Sequence, residues 1–132
     1  MKLEFGSGAL LLDVGDKDWC RLTLLHEDGT ALDLGADTFQ MVATRFVERL
    51  RALLARGEDQ GGRGHFLSLF ERHSSLYMIR AGAVIALRIQ DAQGHDAARF
   101  SLTLDVARRW LARLEQQLAR RPPRSPRTGD RT

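Results

Sequence analysis

Residues 42–56 (VATRFVERLRALLAR) and residues 106–120 (VARRWLARLEQQLAR) agree at eight of fifteen positions with a constant offset of 64. Val42/Val106, Ala43/Ala107, Arg45/Arg109, Arg49/Arg113 and Leu50/Leu114 are among the matches, which resume at Leu54/Leu118, Ala55/Ala119 and Arg56/Arg120. An internal repeat constrains the fold more than any bulk property, because whatever supersecondary unit the first copy forms, the second must form too. Phe39, Val42, Ala43, Phe46, Leu50, Leu53 and Leu54 fall on one helical face, as do Ala107, Trp110, Leu111, Leu114 and Leu118. Phe46 and Trp110 are expected in equivalent buried positions.

Ahead of each helix stand short runs with the period of two that marks half-buried strands. Leu3-Phe5, Leu10-Leu12-Val14, Cys20-Leu22-Leu24 and Leu32-Leu34 supply four in the first half. Phe66 to Phe70, Tyr77-Ile79, Ile85-Leu87-Ile89 and Phe100-Leu102-Leu104 supply four in the second. A shift of 65 carries Phe5 onto Phe70, Leu12 onto Tyr77, Val14 onto Ile79, Leu22 onto Leu87, Leu24 onto Ile89 and Gly29 onto Gly94. Asp28-Gly29 signals a two-residue hairpin and Asp91-Ala-Gln-Gly94 a longer one. Asp37, three residues before Gln40, has the spacing of a capping box, and Asp105 holds the matching place before the second helix.

These features predict an α+β fold of two tandem ββββα repeats, with antiparallel sheets each backed by an amphipathic helix. Repeat one covers 1–57, a glycine-rich connector 58–64 and repeat two 65–121, together one pseudo-symmetric domain. Gly57 is placed to end the first helix. Pro122 and Pro123 end the second, and 122–132, with no apolar residue to bury, is expected to be a disordered basic tail.

The chain has 132 residues, of which 20 are Lys or Arg and 17 are Asp or Glu, giving a formal charge of +3. The distribution matters more than the total. Residues 1–40 hold three bases against eight acids, so the remainder carries +8, and all but two of the bases are arginine, the side chain shaped for bidentate grips on phosphate or carboxylate. No wholly apolar run, Ala9 to Leu12 and Ala83 to Leu87 included, approaches the ~20 residues of a spanning helix, so no membrane association is expected, and a cytoplasmic location is. Cys20 is alone, which rules out an internal disulfide and points to a small buried apolar residue.

Catalytic patterns are missing. The four histidines form no HxxxH or HExxH pair, Asp13, Asp16 and Asp18 depart from the EF-hand spacing, and no GxSxG, GxxxxGK[ST] or GxGxxG occurs. No enzyme, cofactor or metal is expected. What remains is a surface. With Tyr77, Ile79, Ile85, Leu87, Ile89, Phe100, Leu102 and Leu104 turned to the helices, alternation places Met78, Arg80, Arg88, Arg99 and Ser101 on the opposite face. Arginines on an open sheet suit phosphates and bases, with Phe66, Phe70 or Trp19 as a stacking platform, or else simply solvate that face. The helical rows Arg45, Arg49, Arg56 and Arg109, Arg113, Arg120 either meet acids across a contact or stay in water.

The duplicated ββββα order, with the junction Phe100-Ser-Leu-Thr-Leu-Asp-Val-Ala-Arg-Arg-Trp-Leu, resembles the Whirly and Pur families and the transcriptional coactivator positive cofactor four. The topological likeness covers about residues 2–121. It implies sequence-tolerant binding of single-stranded DNA or RNA on the sheet face, in a dimer or closed pair of units, by Arg80, Arg88 and Arg99 with Arg21 and Trp19 in the first repeat. Asp13, Asp16 and Asp18 depart from that pattern, since they repel phosphate. A protein-interaction or assembly module without nucleic acid is the alternative, with a protein partner or a second copy of the chain.

Overall fold

The computed structural model describes residues 1–56 and 64–120, in which two antiparallel four-stranded sheets are each followed by a helix. The first unit runs β1 (Lys2–Phe5), β2 (Gly8–Val14), β3 (Trp19–His26), β4 (Ala31–Thr38) and α1 (Phe39–Arg56). The second runs β5 (His65–Ser68), β6 (Ser75–Ala81), β7 (Val84–Gln90), β8 (Asp96–Thr103) and α2 (Leu104–Arg120). Strands are ordered in each sheet as in the chain, β1-β2-β3-β4 and β5-β6-β7-β8. This is the expected α+β architecture. The Gly57 cap, nearly all of the expected connector and the 122–132 tail lie outside the described residues.

Side-chain alternation fills the interior. Leu3, Leu10, Leu12, Cys20, Leu22 and Leu24 are buried in the first sheet, and Leu67, Leu76, Met78, Ile85, Leu87, Ile89 and Leu102 in the second. All belong to one apolar cluster with Ala43, Phe46 and Leu50 of α1 and Ala107, Trp110 and Leu114 of α2. The helical triplets are related by the offset of 64, so Phe46 and Trp110 do occupy equivalent buried places.

Each helix reaches across to the other unit. In α1, Phe46 meets Phe66 of β5 edge-to-face at 4.9 Å, and Arg49 donates to the carbonyl of Met78 in β6. In α2, Trp110 packs against Phe5 of β1 and its Nε1 donates to Glu4 O at 2.7 Å, while Arg113 donates to Lys2 O. Arg49 and Arg113 therefore satisfy strand carbonyls rather than standing in water, a role that helical spacing does not reveal. Arg51 and Glu115 pair between the helices.

The local signals shift by small amounts. The caps are Thr38, whose hydroxyl accepts from Met41 N at 3.2 Å, and Thr103, which does the same for Val106 N, while Asp18 accepts from Gln40 N. Asp37 is not the cap, because its carboxylate accepts from the amides of Thr38 and Phe70 instead. Both β3–β4 and β7–β8 turn through three residues closed by a glycine at positive φ, Gly29 at 93° and Gly94 at 84°.

Candidate nucleic-acid interface

Strand register decides what the outer face of the second sheet carries. Met78 is fully buried, so alternation turns Tyr77 and Ile79 outward, the reverse of the sequence expectation. The cause is turn length. Five residues separate the paired Val14 and Cys20, but four separate Arg80 and Ile85, so β6 is displaced by one residue and Leu12 matches Met78, not Tyr77. A one-residue slip exchanges every side chain between the faces of a strand.

Arg80 consequently leaves the proposed site. It sits on the helix side of β6, where Nη1 donates to Leu53 O at 3.0 Å and Nε to Gly82 O at 2.7 Å. Leu53 lies in the last turn of α1, whose carbonyls lack intrahelical donors and carry the negative end of the helix dipole, so Arg80 caps that end.

The slip brings Tyr77 into register with the remaining arginines. His65 pairs with Tyr77, Tyr77 with Arg88 and Arg88 with Arg99, one straight row across all four strands of the outer face. The His65 and Tyr77 rings meet edge-on at 5.2 Å, with His65 Nε2 2.9 Å from Ser68 Oγ. The Arg88 guanidinium lies over the Tyr77 ring, 4.8 Å from its centre. Tyr77, Ile79, Ala86, Arg88 and Arg99 line a shallow hollow of about 200 Å³. Asp96 is the counter-charge: Arg99 donates to it at 2.9 Å, and Arg88 Nε lies 3.9 Å from it without making a hydrogen bond. The Gln90 amide and then the two arginines hold the Asp96 carboxyl below the usual range, with burial opposing.

The first sheet has no such row. The matching line of pairs is Lys2, Leu11, Thr23 and Asp33, with no aromatic ring and no arginine. Arg21 does face outward, but Asp33 takes its Nη1 at 3.0 Å on both oxygens and Glu71 takes its Nη2. Those carboxylates raise the Arg21 pKa, and Asp33 is lowered despite its desolvation by the amide of Gly35 and by Arg21 itself. Trp19 lies on the same outer side and meets Phe70, the most exposed large apolar side chain among the described residues, edge-on at 6.0 Å.

Of the five residues expected to act together, Arg88 and Arg99 are adjacent, Arg21 and Trp19 stand in the other sheet and Arg80 is on the other face. Tyr77 and His65 are the additions. The signal for them lies in the short Ala81–Val84 hairpin with Gly82 at φ 62°, which shifts β6 against the repeat. Among the described residues no group of His, Cys, Asp or Glu is arranged to hold a metal ion, and no helix is long and apolar enough to cross a membrane. No protein-family model matches the chain, and no curated protein matches it in sequence.

Proposed function

We propose that the chain binds single-stranded DNA or RNA, tolerant of sequence, on the outer face of its second sheet. The row His65, Tyr77, Arg88, Arg99 carries this reading. Every base has a π-face that stacks on an aromatic ring or a guanidinium plane, and a base over the Tyr77–Arg88 pair needs no particular hydrogen-bond pattern. Arg99 and Arg88 supply bidentate donors to successive phosphates. The row crosses the sheet at right angles to its strands, so a strand laid along it meets ring, guanidinium and guanidinium in turn. The likeness of the repeat order to Whirly, Pur and positive-cofactor proteins supports the same reading.

The test is titration of a fluorescent single-stranded oligonucleotide at several salt concentrations. Tyr77→Ala should weaken binding by about 1–3 kcal/mol, the worth of one stacked base. Replacing Arg88 and Arg99 together by glutamine should abolish binding at moderate salt and flatten its dependence on salt, each lost phosphate contact removing about 0.7 from the log–log slope. Arg80→Gln should leave affinity unchanged. No single-strand binding by the wild type at low salt refutes the reading.

The exposed Phe70, braced against the half-buried Trp19, favours a second reading, a protein-interaction module, since an exposed aromatic held in place is a common anchor of protein interfaces. Phe70→Ala would then abolish partner capture and leave oligonucleotide binding intact.

A further inference from the structure

The four sheet edges are treated differently. The β1 edge is covered by Trp110 and Arg113, which donate to its carbonyls. The β5 edge is short, and its register shifts between His65 and Leu67. The β4 edge is bridged by an incoming antiparallel segment, Glu71 N donating to Ala36 O at 2.8 Å. Only β8, among the described residues, offers a long edge without a backbone or capping hydrogen bond on it, although the Phe5 ring of β1 stacks on the Phe100 ring at 3.9 Å. Its pairing with β7 shifts at Ala97 and is regular from Ala98 to Thr103, with no proline, lysine or further bulge to blunt it.

The direction of its peptide groups follows from Met78, whose N–H donates to Gly64 O at 2.8 Å and whose carbonyl accepts from Arg49, both away from β7. Alternation then aims Tyr77 and Ile79 at β7, Ile85 and Leu87 at β8, and Phe100 and Leu102 back at β7. Arg99, Ser101 and Thr103 present their N–H and C=O groups outward, where no backbone group of the described residues meets them.

We propose that this edge pairs with β8 of a second copy of the chain, antiparallel about a twofold axis through Phe100. Pairing about such an axis keeps core face opposite core face. Centred on Phe100, it sets Phe100 against Phe100 and Ala98 against Leu102 on the core side, and Arg99 against Ser101 on the outer side, with no like charges opposed. Centred on Arg99 it would oppose two arginines, which is unfavourable. The hydrogen-bonded pairs of the chosen register are Arg99 with Ser101 in both directions, the residues whose groups point outward. The first unit shows that this place accepts an antiparallel segment, since Ser101 stands 65 residues beyond the bridged Ala36. A self-complementary strand at a position that its repeat mate fills makes a second copy the matching occupant.

Sedimentation equilibrium of the full chain over a range of concentrations tests it, with Ser101→Pro as the variant. Proline is tolerated at an edge residue whose N–H faces outward, so the β7–β8 ladder survives and the monomer should melt cooperatively as before. The wild type should dimerise reversibly, and the variant's Kd should rise by more than about tenfold. A wild type that stays monomeric up to its solubility limit, or a folded variant that dimerises equally well, overturns the proposal. Amide hydrogen exchange of the wild type decides the matter if the variant does not fold. Arg99 and Ser101 amides slowing with rising concentration, against Phe100 and Leu102 amides slow throughout, supports the pairing. Arg99 and Ser101 amides that are fast at all concentrations, or slow at all concentrations because the edge is filled within one chain, overturn it.

Discussion

Asp96 sets how much of the charge on Arg88 and Arg99 is available to a ligand, because its carboxylate holds both. The pair energies are small at such exposure, but competition with phosphate does not need a large one. The carboxyl is held below its usual range, so it stays ionised through mildly acidic pH and is neutralised only as the pH falls through that lowered value. Single-strand affinity should therefore rise over that acidic window in the wild type. Asp96→Asn should show the raised affinity at neutral pH, by a few-fold, and should lack the acidic step. Fluorescence titration of both proteins across pH measures it. At this scale sequence shows which residues carry charge but not which charges meet: Arg21 is read as a phosphate ligand until Glu71, fifty residues away, is found against it.

At the scale of elements, the eight strands, both helices and the matched glycine turns were legible because each rests on local periodicity or turn chemistry. The face of β6 was not. Its apolar run Leu76-Tyr77-Met78-Ile79 alternates acceptably in either phase, and the deciding fact is the shorter turn that follows it. A different irregularity, in the first unit, is Gly35, at φ 116°, where β4 shifts register against β3. A Cβ there would lie 2.1 Å from Glu71 O, a backbone atom unable to move without breaking the Ala36 bridge. Gly35→Ala combines that clash with left-handed strain and should cost about 2–4 kcal/mol in chemical denaturation. A cost below 1 kcal/mol would mean that the segment Phe70–Glu71 is not held against β4.

For the molecule as a whole, the decisive contacts are those from each helix to the first strands of the other unit, together with the single apolar cluster they share. Neither half buries its own sheet fully. Separately produced fragments 1–56 and 64–120 should each lack a cooperative melting transition, and mixing them should restore one, observable by circular dichroism. Two independent transitions would show that each half is self-sufficient. With β8 paired to β8, the two outer faces would lie in one continuous surface, and the two rows of ring and guanidinium would follow one another across it.

The reach of each helix to the other unit also orders events during synthesis. When α1 leaves the ribosome, β5 and β6, which Phe46 and Arg49 are shaped to meet, do not yet exist, and its apolar side rests mainly on β3 and β4. The first half must wait, partly covered, until about twenty-five further residues emerge, at ordinary elongation rates a matter of seconds. During that interval a neighbouring nascent first half offers the same unmet surface. Close spacing of ribosomes on one message would therefore favour cross-chain capture, and slow translation of the β5–β6 coding region would lengthen the exposure.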